Sequence, residues 1–143
     1  MISKKIAIAA DHGGYILKAE IIKNLESKGF EVLNLGTDGP ASVDYPDFGH
    51  ALANAIENND VDRGILVCGS GIGISIAANR HKGIRAALCT NGLMARLARQ
   101  HNNANIIALG ARTTGILVAL DCIEEFLNTK FEGGRHQIRI DKI

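Results

Sequence analysis

A glycine-rich segment near residue 70 has residue types suited to acid–base chemistry on an anion. It reads Cys68-Gly69-Ser70-Gly71-Ile72-Gly73. Glycines at alternate positions let the backbone turn tightly and point several N–H groups the same way, which makes a site for phosphate or a developing oxyanion. A thiol at a helix amino terminus is more readily ionised than a free thiol. Cys68 is therefore a candidate nucleophile or general base, with a buried core cysteine as the alternative.

The glycine segment does not fit the two common nucleotide-binding motifs. No Gly-Lys-Ser/Thr follows it, which excludes a Walker loop. Its GxGxG spacing differs from that of the dinucleotide motif, and no acidic residue follows the next strand to bind a ribose hydroxyl. We therefore predict no nucleotide cofactor. Tight packing of a strand on a helix is the alternative explanation of the glycines.

Imidazole and carboxylate groups lie near other predicted strand ends. Asp11 and His12 follow the first strand, and His101 ends a later helix. Together they suit general acid–base catalysis, whereas a plain turn and a helix-dipole contact are the alternatives. The sequence contains no HxH or HExxH spacing, so no metal is predicted.

Basic side chains are concentrated in the second half of the chain. No acidic residue occurs between Arg63 and Leu120, where seven basic residues lie: Arg63, Arg80, Lys82, Arg85, Arg96, Arg99 and Arg112. Most of them are expected on solvated helix faces, and a small-anion site is the alternative. In the tail, Arg135 and Arg139 are four residues apart, so on a helix they would share a face and hold one phosphate together.

These residues are set within a regular alternation of strands and helices. Strands are predicted at residues 5–10, 31–35, 64–68, 84–88 and 106–109. Helices are predicted at 14–27, 46–58, 71–79, 91–101 and 113–127, with a short one in the tail, 133–143. The pattern predicts a three-layer α/β/α, Rossmann-like fold with a five-stranded parallel sheet. Because ligands bind beyond the carboxyl ends of such strands, the acid, imidazole, thiol and guanidinium groups are expected to converge at that edge.

Composition excludes several classes of protein. A chain of 143 residues is expected to form one domain, residues 1–143. A net charge of +1, no Trp and 4% aromatic residues argue against binding to nucleic acid or membrane surfaces. The three cysteines, Cys68, Cys89 and Cys122, are widely spaced, and we expect the last two in the core. No signal peptide or membrane span is evident, which predicts a reduced, cytoplasmic protein.

The combination of motifs resembles the ribose-5-phosphate isomerase B family, which also includes galactose-6-phosphate isomerase subunits. The resemblance covers essentially the whole chain. Each motif is weak alone, but their order and intervals are specific. They are Asp11-His12-Gly13, Asp44-Tyr45-Pro46, the segment from Cys68 to Ser75, Asn79 with Gly83-Ile84-Arg85-Ala86, Arg99-Gln100-His101-Asn102, Gly110-Ala111-Arg112, and Gly133-Gly134-Arg135-His136-Gln137.

The resemblance implies interconversion of ribose 5-phosphate and ribulose 5-phosphate without a cofactor, a step of the non-oxidative pentose phosphate pathway. It implies that Cys68 is the base that moves a proton between C2 and C1. It also implies that His101 assists ring opening with Asp11 nearby. The N–H groups of Gly69, Gly71 and Gly73 would bind the enediolate. Ser70, where threonine also occurs, would donate a hydrogen bond. A branch that lacks the cysteine uses a carboxylate base, but residues 69–78 contain no Asp or Glu here.

The same resemblance implies the residues that bind the substrate. Asn102 would bind the sugar, and Tyr45 would line the pocket. Arg112, Arg135 and Arg139 would bind the phosphate, with His12 and His136 close by. Family members form homodimers with sites shared between subunits, and a tetramer built from dimers is the other expected assembly.

Two alternative functions remain open from the sequence. One is isomerisation of a six-carbon sugar phosphate such as allose or galactose 6-phosphate, because pocket depth decides between the substrates. The other is a non-catalytic phosphate-sensing module on the same architecture. Such a module would need the glycine loop and the arginines, but it would have no use for Cys68 with His101.

Overall fold

A five-stranded parallel sheet forms the centre of the computed structural model, which describes residues 3–143. The strand order is β2-β1-β3-β5-β4, and every neighbouring pair is parallel. The strands are β1 (Lys5–Ala10), β2 (Glu31–Asn34), β3 (Gly64–Cys68), β4 (Ala86–Leu88) and β5 (Ile106–Gly110). The helices are α1 (Tyr15–Ser27), α2 (Tyr45–Glu57), α3 (Ile72–Ala78), α4 (Gly92–Asn102), α5 (Ile116–Asn128) and α6 (Arg135–Ile140). The predicted fold class is confirmed.

The core consists of two hydrophobic layers, one on each face of the sheet. One layer packs the sheet against α1, α4 and α5, and the other packs it against α2 and α3. Every residue of β3 and of β5 is buried. Strands covered on both faces need apolar side chains in both directions, which explains their nearly continuous apolar sequences.

Two element boundaries differ from the predictions by two or three residues. The fourth strand begins at Ala86, two residues late, because the N–H group of Arg85 donates to the side chain of Asn105 instead of to a strand. Helix α5 begins at Ile116 rather than residue 113, because the N–H groups of Thr113 and Thr114 donate to the Gly110 carbonyl in a turn. The predicted tail helix is confirmed as α6. The domain predicted over residues 1–143 includes residues 1 and 2, which lie outside the described residues.

A buried lysine fixes the loop between β2 and α2. The fully buried side chains of α1 are those of Lys18, Ile21 and Leu25, so a charged residue shares the buried stripe with two apolar ones. Lys18 Nζ donates to Asn34 Oδ1 at 2.8 Å and to Asp38 Oδ1 at 2.6 Å. The hydrogen bond from the Lys18 ammonium lowers the pKa of the Asp38 carboxyl. Burial of an ammonium requires such partners, so Lys18 stabilises the loop that leads to Tyr45.

Three arginines of the acid-free region bind backbone carbonyls inside the fold. Arg63 donates to the Phe126 carbonyl, Arg85 to those of Asn102 and Asn103, and Arg99 to that of Ala104. Burial lowers the pKa of Arg99 to about 10, so it stays charged at neutral pH. The expectation of solvated helix faces is wrong for these three side chains, which instead satisfy carbonyls that helix ends leave unpaired.

No helix within residues 3–143 combines the length and the apolar character needed to cross a membrane.

Candidate active site

Cys68 ends β3 at the carboxyl edge of the sheet, directly before the glycine loop. The N–H group of Gly71 donates to Cys68 Sγ at 3.1 Å, which holds the sulfur toward the loop. Gly71 has φ of 78°, and a Cβ there would lie 2.7 Å from Leu88 Cδ1. Only glycine satisfies both constraints, so the backbone itself sets the position of the thiol.

The loop presents free N–H donors beside this thiol. Within residues 3–143, the N–H groups of Gly69 and Ser70 have no hydrogen-bond acceptor. Ser70 Oγ accepts from the N–H group of Ile72 at 3.2 Å, at the start of α3. Free donors that converge next to a base can stabilise negative charge on a substrate oxygen.

The ends of β1 and β5 bring a carboxylate and a guanidinium to the same loop. A Cβ on Gly13 would lie 3.2 Å from both Asp11 Oδ1 and the backbone nitrogen of Gly69. Asp11 Oδ1 accepts from the Gly13 N–H group at 2.9 Å. The N–H group of Arg112 donates to the Gly69 carbonyl at 2.9 Å, and the Arg112 side chain runs alongside Gly69. The predicted convergence of thiol, acid and guanidinium is therefore present.

His12 and Tyr45 complete this edge through the loop before α2. His12 Nδ1 accepts from the N–H group of Val43 at 3.2 Å. A neutral imidazole that accepts at Nδ1 carries its proton on Nε2, so His12 can donate from Nε2 to a ligand. The Tyr45 ring packs on the first turn of α3, where a Cβ on Gly73 would come within 2.5 Å of Tyr45 Cε1.

The remaining predicted residues form a second cluster on α4 and α6. His101 and Asn102 are the last two residues of α4, and Arg135, His136 and Arg139 lie on α6. The rings of His101 and His136 are stacked, with centroids 4.3 Å apart and planes 13° from parallel. Burial, followed by the charges of His101 and Arg135, lowers the pKa of His136.

This second cluster and the first one, around Cys68, lie at opposite edges of the sheet. Helix α4 leaves the carboxyl end of β4 and must return to the amino end of β5, because the two strands are parallel. Its 11 residues span roughly 16 Å, so its last turn is at the amino edge. The prediction that His101 converges with Cys68 at the carboxyl edge is therefore wrong within one chain.

Comparison with known proteins places this chain in a known family. The family model described as Ribose/Galactose Isomerase matches residues 6–143. This chain belongs to that family. Ribose-5-phosphate isomerase B of Escherichia coli is 46% identical over 98% of this chain and 94% of that protein.

Solved structures of the ribose/galactose isomerase family share the fold of this chain. Ribose-5-phosphate isomerase B from Clostridium thermocellum has a TM-score of 0.96 and 55% identity, covering 96% of this chain and 93% of that one. The enzyme from Mycoplasma genitalium, solved with bound ribulose-5-phosphate, has a TM-score of 0.93 and 45% identity, covering 99% and 95% of the two chains. The resemblance stated from the motifs is confirmed.

One group of side chains within residues 3–143 offers three potential metal ligands, namely His101, Glu132 and His136. Their candidate ligand atoms lie within 4.8 Å of one another. A metal must lie close to the plane of each imidazole that binds it, along the nitrogen lone pair. Two stacked and nearly parallel rings cannot both meet that requirement for one ion. The arrangement therefore does not fit the binding of a metal ion by both imidazoles.

The other two thiols are core residues, as predicted. Cys89 and Cys122 are buried in the layer that packs against α4 and α5. Burial raises the pKa of Cys89 to about 12 and also raises that of Cys122. Neither is ionised near neutral pH, so neither of these two thiols is suited to act as a base.

Three contributors to the site were missed in the sequence. The burial of Lys18 could have been predicted from the sequence. At helical spacing it lies on the same face of α1 as Ile21 and Leu25, which are buried. Val43 contributes through its backbone and Glu132 through a tertiary contact, so neither has a local signal.

Proposed function

We propose that this chain interconverts ribose 5-phosphate and ribulose 5-phosphate through ring opening and a cis-enediolate. The observation that carries the proposal is the Cys68 thiol held at a loop whose Gly69 and Ser70 N–H groups are free. The chain belongs to a family whose relatives include enzymes named ribose-5-phosphate isomerase B. Base and oxyanion donors side by side are what aldose–ketose isomerisation needs.

In the proposed reaction, the Cys68 thiolate removes the proton from C2 of the open-chain aldose. The electron pair moves into the C1–C2 bond, and negative charge develops on O1, where the loop N–H groups and the Ser70 hydroxyl donate to it. The same thiol then returns the proton to C1, while the proton of O2 passes to O1, so that O2 becomes the ketone oxygen and O1 a hydroxyl. No electron leaves the substrate, so the step needs no redox cofactor, and the loop N–H groups take the place of a metal at the developing oxyanion.

Ring opening and binding use the other groups of the two clusters. We assign ring opening to His101 with Asp11 nearby, contact with the sugar to Asn102, and the pocket wall to Tyr45. The phosphate binds His12 and Arg112 from the carboxyl edge, and Arg135, Arg139 and His136 from the amino edge. Fixed donors on the phosphate supply remote binding energy that orients the reacting carbons. We propose no nucleic-acid or membrane partner.

The two clusters lie at opposite edges of one sheet and cannot meet within a single chain. A site that uses both clusters must therefore be shared by two chains. Exposed apolar residues flank the edge strand β4, where α3 contributes Ile72 and Ile76 and α4 contributes Leu93, Met94 and Leu97. A two-fold axis beside β4 would cover these side chains and bring the amino edge of each chain against the carboxyl edge of its partner. We therefore propose a homodimer, alone or as the unit of a tetramer.

We also propose that residues 1–143 act as one domain in the cytoplasm. The family match over residues 6–143 supports the single domain, and three unpaired thiols suit a reducing compartment.

The proposed activity is tested by measuring ketose formation by the purified protein. We expect kcat/KM for ribose 5-phosphate to exceed that for allose 6-phosphate and galactose 6-phosphate by about tenfold or more, since one extra carbon must fit the same pocket. A preference for either six-carbon substrate would identify the alternative isomerase. Phosphate binding without turnover of any of the three would identify a sensor and contradict the proposal.

Replacing Gly73 with alanine should disturb the pocket wall. The new Cβ would fall 2.5 Å from Tyr45 Cε1, and the partly exposed Tyr45 ring can move away without disrupting the core. We expect kcat/KM for ribose 5-phosphate to fall by roughly tenfold, because small displacements of binding groups have large effects on rate. Gly39→Ala is the matched control, since a Cβ there meets nothing within 4 Å. Equal kinetics for the two variants would remove Tyr45 from the pocket.

A further inference from the structure

The geometry points to Glu132 as a positioning residue that orients His101 for ring opening. This inference rests on the proposed function. It adds to it a residue of the loop before α6 that none of the motif assignments includes.

The backbone fixes Glu132 beside the end of α4. Its N–H group donates to the carbonyl of Gln100 at 3.1 Å, one residue before His101. The carboxylate is thereby directed at both imidazoles. Glu132 Oε1 lies 3.4 Å from His136 Nε2 and 4.0 Å from His101 Nε2.

His101 has little else to hold its ring. Its side chain is 40% exposed, and within residues 3–143 its imidazole makes no hydrogen bond. Its ring stacks on that of His136, which is 7% exposed and has a buried Nε2 without a hydrogen-bond partner. A catalytic ring must be held near its productive orientation, and Glu132 is the group that both imidazoles share.

The carboxylate of Glu132 also opposes the positive charge that surrounds the stacked rings. From α6, Arg135 and Arg139 contribute positive charge to the surroundings of His136, and His101 faces it from α4. Glu132 supplies the opposing negative charge. Without it, the positive charges of Arg135 and Arg139 beside His136 would lose the carboxylate that opposes them.

The test separates ring opening from proton transfer by choice of substrate. Erythrose 4-phosphate carries its phosphate on O4, so it cannot close a furanose ring, yet it presents the same C1 and C2 to Cys68. Glu132→Gln removes the charge at constant size. We expect it to lower kcat for ribose 5-phosphate roughly tenfold and kcat for erythrose 4-phosphate less than about threefold. His101→Asn sets the reference for full loss of ring opening, about a hundredfold on ribose 5-phosphate alone.

Glu124→Gln is the matched control, because Glu124 is an exposed carboxylate that pairs with Lys28 away from both clusters. Its two rates should equal those of the wild type. Equal losses on the two substrates in Glu132→Gln would indicate a general structural role and overturn the inference, as would wild-type rates on both. A wild-type protein that converts neither substrate would instead contradict the proposed function itself.

Discussion

Replacing Cys68 with alanine should lower isomerisation of ribose 5-phosphate by about a thousandfold, within the range expected for loss of a general base. Residues 69–78 contain no Asp or Glu, so the loop has no substitute base. Affinity for the sugar phosphate should change less than about threefold, because the thiol acts on the reacting carbons and the phosphate is bound elsewhere. The expected change is therefore in kcat with KM nearly constant.

The measurement compares kcat and KM of Cys68→Ala with those of Cys122→Ala. Cys122 is a fully buried core thiol on α5, so its variant should lose stability but retain turnover while folded. An alkylating reagent should inactivate the wild type, and bound substrate should slow the inactivation. Near-normal turnover by Cys68→Ala would contradict the assignment of the base.

Mixing two inactive variants should restore activity if the site is shared between chains. Cys68→Ala damages the carboxyl-edge half of a site, and Arg139→Ala damages the amino-edge half. In a mixed dimer both defects fall in one site, which leaves the other intact. Random exchange makes half of the dimers mixed, and half of their sites are whole. Activity should therefore rise from near zero to roughly a quarter of the wild-type value.

A matched mixture provides the control. Cys68→Ala and Arg112→Ala both damage the carboxyl-edge half, so every site of their mixed dimer carries one defect. This second mixture should stay inactive under conditions where mass spectrometry shows that subunits exchange. Activity that fails to rise in the first mixture, despite proven exchange, would place Cys68 and Arg139 in the same chain's site and contradict the shared arrangement.

The α/β class and the glycine loop could be predicted because local sequence controls them. Alternating apolar strands and periodic helices produced the correct number and order of elements, and the tail helix was found as well. The loop after β3 was recognised because glycine spacing acts on the backbone within a few residues, where Gly71 with φ of 78° holds the thiol. Cys89 and Cys122 were expected in the core because free cysteine is commonly buried, and both lie there.

Contacts between distant parts of the chain were decided by the tertiary structure. Lys18 with Asp38, Val43 with His12, and Glu132 with two imidazoles each join separate parts of the chain, and the local sequence does not specify these partners. The arginines that donate to backbone carbonyls are a similar case, because only the packed helix ends bring those carbonyls within reach. His101 shows the physical reason most clearly. Its sequence position beside a strand suggested proximity to Cys68, whereas the direction of parallel strands puts the end of α4 at the opposite edge of the sheet.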